Sequence, residues 1–87
     1  MDADDAVYRT ARKLMSERFG VPVEDIRPDT TFDELDMDSL ALAEFTFDLR
    51  DEFSVLLTTQ DVNKRSTLTD VARILTKRLA SRPPGTP

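Results

Sequence analysis

The chain has 87 residues, 39% of them apolar and 33% charged, with a formal charge of −5; that suffices for one small folded domain and leaves no room for an enclosed substrate cavity. It contains neither cysteine nor histidine, which removes disulfides, thiol nucleophiles, zinc sites of usual ligand type and imidazole bases. The charge is uneven: between Glu24 and Glu52 stand eleven acids against Arg27 and Arg50, a net −9, so this segment repels nucleic acid and attracts basic protein surfaces.

Ala3, Val7, Ala11, Leu14, Met15 and Phe19 recur at helical spacing, and Asp4 and Asp5 suit the positive end of a helix dipole, so a first helix is predicted over residues 4–19. Its basic side chains Arg9, Arg12, Lys13 and Arg18 read as a solvated face. Gly20 followed by Pro22 is a stop signal. Residues 21–37 show no period and contain Pro22 and Pro28, yet they place Val23, Ile26, Phe32 and Leu35 where a loop can pin itself to a core. A loop of that length in a small domain tends to be functional. Asp38 is the expected N-cap of a second helix from Ser39 to about Phe53, with Leu42, Phe45, Thr46, Leu49 and Phe53 as its core stripe.

Residues 54–64 are ambiguous: Val55, Leu56 and Leu57 form an extended apolar run, after which Thr58 or Thr59 could cap a short third helix through Val62. Thr67 and Asp70 are spaced as a capping box, and Leu68, Val71, Ala72, Leu75 and Leu79 carry a final helix to about Ala80. The expected domain spans residues 1–80, and residues 81–87, with three prolines and a glycine, predict a disordered tail. No stretch reaches the length of a membrane span, and the acidic N-terminus does not look like a signal peptide. A discrete, cytoplasmic protein is therefore expected.

The second helix carries a second apolar stripe. Leu40, Ala43 and Phe47 lie together about 140° from the centre of the core stripe, with Glu44, Asp48 and Asp51 as their neighbours. Either Phe47 packs on the first helix or the loop, or the strip is a protein-docking surface, an aromatic anchor rimmed by charge; the second reading is favoured. Ser39 opens this helix at the edge of the strip, and taken alone it is an ordinary helix-start residue.

Its surroundings change that reading. The stretch F-D-E-L-D-M-D-S-L at residues 32–40, with D-L-R-D-E-F ending the second helix and T-L-T-D-V-A-R-I-L downstream, resembles the acyl carrier protein family over residues 6–79. The resemblance implies an all-α, four-helix bundle with three longer helices, one short helix and a long loop between the first two. It implies that Ser39 receives 4′-phosphopantetheine from coenzyme A through a phosphopantetheinyl transferase, and that Asp38 helps to present the site. It also implies that Leu40, Glu44, Phe47 and Asp48 lie on a face read by ketosynthase, acyltransferase or acyl ligase enzymes with basic docking surfaces. The protein would then be a monomeric carrier of thioesters in fatty acid or polyketide-type biosynthesis, not a catalyst, with no nucleic acid or membrane as partner. An interaction module of the same fold without a prosthetic group, and a peptidyl carrier, are the alternatives.

Asp36 stands where the family has glycine, a position that suits left-handed backbone, which aspartate tolerates. Ala41 and Phe47 also depart from the family pattern, and could tune which partner binds. Glu34, Asp36 and Asp38 alternate like a calcium loop, but Ser39 and Phe45 occupy the places where such a loop needs glycine and glutamate.

Overall fold

Three amphipathic segments of this chain can hide their apolar stripes only against one another. They do so as α1 (Ala3–Phe19), α2 (Ser39–Phe53) and α3 (Leu68–Ala80). The computed structural model describes residues 3–81, with side chains from Asp5 onward; the side chain of Ala3 and residues 82–87 of the expected tail lie outside the described residues. Ser81 ends α3, its N–H turned back to the carbonyls of Lys77 and Leu79.

Each helix begins and ends where local chemistry requires. The carboxylate of Asp38 accepts the N–H of Ala41 at 2.8 Å, and Thr67 and Asp70 cap α3 reciprocally, side chain to backbone in both directions. Caps of this kind stabilise a helix by about 1 kcal/mol. Gly20 closes α1 with φ 70 and an N–H to Ser16 O at 3.0 Å. Val7, Ala11 and Met15 from α1, Leu42, Phe45 and Leu49 from α2, and Leu68, Val71, Ala72 and Leu75 from α3 are buried. Thr46 is buried in the same stripe, its hydroxyl satisfied by Leu42 O at 2.7 Å.

The long loop is part of the core. Ile26, Phe32 and Met37 are buried and Leu35 is half-buried. Its backbone is tied down from two sides. Arg12 of α1 donates to the carbonyls of Ile26, at 2.9 Å, and of Val23. Phe32 N–H reaches Ser66 O at 3.0 Å, Asp33 N–H reaches Lys64 O at 2.9 Å, and the Thr69 hydroxyl reaches Pro28 O at 2.7 Å.

Three expectations need correction. Among the described residues there are three α-helices and no strand, and the bundle lacks the fourth, short helix expected after Thr58. That segment closes as a turn, Asp61 N–H to Thr58 O at 3.0 Å, because Val62 is the one buried residue of 58–62 and no apolar period follows it. The one short helical turn, a 3-10 turn at Val23–Asp25, lies in the long loop instead. Val23 is not a core pin: it is 44% exposed and contributes its carbonyl to Arg12. Nor is the basic face of α1 simply solvated, since Arg12 holds the loop and Arg18 forms a two-point ion pair with Asp48, both bonds 3.2 Å.

The turn after α2 is fastened to α3 by Arg78, which meets the two carboxylate oxygens of Asp61 at 2.7 and 3.2 Å. The guanidinium bond, aided by the N–H of Thr58, lowers the Asp61 carboxyl to about 2. A folded-state value below the unfolded one stabilises the fold at neutral pH, and that contribution is lost as pH falls from about 4 to about 2. Asp61→Asn should therefore lower Tm at neutral pH by roughly 5 °C, about 1 kcal/mol. Thermal melts followed by circular dichroism across this range should show the deficit shrinking toward pH 2, and a deficit constant with pH would refute the assignment.

Candidate functional site

The site is built at the junction of the long loop and α2. Thr31 and Glu34 bond reciprocally: the Thr31 N–H and hydroxyl donate to Glu34 Oε1 at 3.2 and 3.0 Å, and Glu34 N–H returns to Thr31 Oγ1 at 3.2 Å. The turn they start is closed by Asp36 N–H to Asp33 O and Met37 N–H to Phe32 O, both 3.1 Å. This pair of bonds is the pattern that ends helices, and it requires a left-handed residue just before its last donor. Asp36 is that residue, with φ 59. The departure from glycine thus leaves the backbone geometry in place. The chain then turns inward to bury Met37 and outward to begin α2.

Asp38 and Ser39 are both exposed. Because the Asp38 carboxylate is engaged by Ala41 N–H, it acts as the helix cap, and Ser39, the first helical residue, does not have to. Among the described residues no hydrogen bond occupies the Ser39 hydroxyl. Beside it runs a groove of about 550 Å³ whose floor is Leu42 and Val62 and whose rim includes Thr59, Lys64 and Arg65. Lys64 and Arg65 bring positive charge next to the most acidic part of the chain.

Along α2 the second apolar stripe faces solvent. Leu40 is 68% exposed and Phe47 60%, which excludes the alternative in which Phe47 packs on α1 or the loop. Glu44 and Asp51 are exposed beside them, and Ala43 is half-buried. Asp48 stands apart: its side chain is 20% exposed and held by Arg18 across from α1. Arg50 lies over the Phe47 ring, 5.6 Å from its centroid. The sequence reading did not foresee Leu56, 70% exposed past the end of α2. The signal was present in three consecutive apolar residues on an extended segment, whose side chains cannot all point inward.

Comparison with known proteins identifies the family. The family described as "Phosphopantetheine attachment site" matches residues 9–75. Similar chains include the acyl carrier protein of Streptococcus thermophilus, 34% identical over 64% of this chain and 76% of the relative. That of Thermotoga maritima is 28% identical over 91% of this chain and 99% of the relative, and that of Bdellovibrio bacteriovorus 28% over 84% and 95%. No solved structure matches the chain. The chain belongs to the acyl carrier protein family, whose members are carriers rather than catalysts, and its prosthetic group is a covalently attached phosphopantetheine. An exposed, unengaged hydroxyl beside an open groove with a cationic rim fits a group that joins through a phosphodiester and then extends as a flexible chain. No helix among the described residues is long and apolar enough to cross a membrane.

The left-handed turn supplies a test. Asp36→Gly removes a Cβ from a conformation that disfavours one and should stabilise the fold by about 0.5–1 kcal/mol. Asp36→Val, with a branched Cβ, should destabilise it by about 1–2 kcal/mol. Urea melts of the three proteins check the order, and a parent more stable than the glycine variant would refute the strain argument.

Proposed function

We propose that Ser39 is the attachment residue and that the protein carries acyl groups as thioesters in fatty acid or polyketide-type biosynthesis. The observation that carries this reading is an exposed serine hydroxyl at the first position of α2, released from capping duty by Asp38. The prosthetic group supplies the terminal thiol that a chain without cysteine lacks. The residues around Ser39 do the rest. Asp38 fixes the helix start so that the hydroxyl keeps one position for a transferase. Lys64 and Arg65 offset the negative charge of a phosphodiester at Ser39, and Leu42 and Val62 offer apolar contact to the first part of the arm or its cargo.

Partner enzymes with basic grooves then read α2 through Leu40, Ala43, Glu44, Phe47 and Asp51. The charges set encounter rate and selectivity, and the apolar pair supplies contact area. Asp48 contributes to this field from a fixed position, because Arg18 holds it. The small size of the domain fits a monomer in the cytoplasm that visits several enzymes in turn.

Incubation with coenzyme A, magnesium and a broad-specificity phosphopantetheinyl transferase should add one phosphopantetheinyl group to the intact mass of the parent chain and none to Ser39→Ala. A parent chain of unchanged mass would leave an interaction module without prosthetic group, and modification of the alanine variant would place the site elsewhere. For the docking face, Glu44→Lys and Asp51→Lys should each reduce kcat/KM for acyl loading about tenfold at low salt, with Tm unchanged. Asp48→Lys should in addition lower Tm, since it sets two cations against each other where the Arg18 pair was.

A further inference from the structure

An anion that approaches Ser39 meets an uneven field. Asp33, Glu34, Asp36 and Asp38, all exposed, stand just before it in the chain, and among the described residues none of them is in an ion pair. Glu34 and Asp38 accept hydrogen bonds, but only from uncharged groups, so their negative charge remains. Arg27 does not reverse this, because the hollow it lines holds Asp25, Glu34 and Asp36 and does not include Ser39. The groove that does include Ser39 has the opposite sign: Lys64 and Arg65 stand on its rim, and no carboxylate lines it.

These two cations are free and firmly presented. Among the described residues neither the Lys64 ammonium nor the Arg65 guanidinium has a hydrogen-bond or ion-pair partner. The turn beneath them is tied in place: Arg65 N–H donates to Asn63 Oδ1 at 3.0 Å, Ser66 N–H to Asn63 O at 3.0 Å, and Asp33 N–H to Lys64 O at 2.9 Å. The last of these bonds joins the turn to the loop that leads into Ser39. An exposed lysine or arginine is ordinarily a solvated surface group. This pair differs in sharing a groove with the hydroxyl proposed for attachment, on a backbone with little freedom left to lose on binding.

We propose that Lys64 and Arg65 contact the diphosphate of coenzyme A while the arm is transferred, so that the carrier supplies cations to its own modification. This rests on the carrier reading above and adds to it a role in the attachment step. In that step the Ser39 oxygen bonds to the phosphorus that bears the pantetheine, and the bond from that phosphorus to the bridging oxygen breaks. Adenosine 3′,5′-bisphosphate leaves with the electron pair, and the hydroxyl proton passes to a basic group of the transferase. Negative charge gathers on the phosphoryl group and the departing oxygen, where fixed cations stabilise it. The Arg65 guanidinium can meet two phosphate oxygens at once, and the Lys64 ammonium acts as a point charge. The acids before Ser39 repel the same diphosphate, so the groove is the side from which it can approach.

The test uses the full chain without its arm, a broad-specificity phosphopantetheinyl transferase, magnesium and coenzyme A, with each substrate varied in turn. The double variant Lys64→Gln, Arg65→Gln should lower kcat/KM for coenzyme A about tenfold at saturating carrier, while KM for the carrier stays within about twofold of the parent. Arg65→Lys, which keeps the charge, should stay within about threefold. Tm should not change, because both side chains are exposed. A second readout needs no turnover: in the Ser39→Ala chain, fluorescently labelled and followed by anisotropy, coenzyme A should tighten binding to the transferase about tenfold. That tightening should vanish when Lys64 and Arg65 are also replaced by Gln. Parent-like kinetics in the double variant overturn the inference. So does a loss of affinity that is equal with and without coenzyme A, since a carboxylate of the transferase would then be the occupant. Failure of the carrier reading itself would be seen separately, as a parent chain whose mass does not change.

Discussion

Phe45 is fully buried between two other rings, Phe19 at 5.8 Å and 89° and Phe32 at 6.0 Å and 74°. Edge-to-face pairs at this separation contribute about 0.5–1.5 kcal/mol each beyond the area they hide. Their larger effect is geometric. One ring comes from α1, one from α2 and one from the long loop, so the cluster fixes the rotation of α2 about its own axis. With Phe45 inward, Leu42, Thr46 and Leu49 follow it, and Leu40 and Phe47 must face water. Turning the helix by one residue would push Glu44 into the rings, and burying an unpaired carboxylate there costs several kcal/mol. The face proposed for docking is exposed because the core leaves it no other orientation.

Phe32 and Asp33 also tie the loop to the segment before α3, through their N–H groups to Ser66 O and Lys64 O. The start of α2 is therefore set by contacts distant in sequence: Arg12 on one side, residues 64–69 on the other, and the left-handed Asp36 between them. A freely moving loop would leave Ser39 without a defined place. The acids of the middle segment work against this compactness, since like charges close together repel. Two long-range ion pairs offset part of that cost, Arg18 with Asp48 and Arg78 with Asp61. Each joins elements that hydrophobic contact has already brought together, and each is partly exposed, so its contribution is modest.

The three long helices, their stops and starts at Gly20, Asp38 and Thr67, and most of their core residues were legible in the sequence, because a 3.6-residue period and capping chemistry are local signals. The start of α2 at Ser39 was legible through Asp38, a capping residue before an apolar period. What escaped depended on distance. Nothing near Arg12 or Arg18 in the chain announces that Ile26 or Asp48 will lie within reach. Val23 has the composition of a pin but sits on a 3-10 turn that points it outward. Residues 58–62 hold a capping pair, Thr58 with Asp61, yet a cap without a following apolar period starts a turn and not a helix. Leu56 was hidden in a run of similar residues, and only the burial of its two neighbours reveals which way it faces.

The position of Ser39 relative to the core has a further consequence. The interior of this domain is filled by its own side chains from all three helices and both connecting segments, and the space beside Ser39 is an open groove, not an internal chamber. If the arm is attached at Ser39, as proposed, its cargo can rest against Leu42 and Val62 without the core having to open. A groove of this kind holds its guest by limited apolar contact, about 25 cal/mol for each Å² covered, so release to a partner is a small rearrangement. With 87 residues, a firmly packed bundle that keeps its chemistry on the outside reconciles stability with ready hand-over.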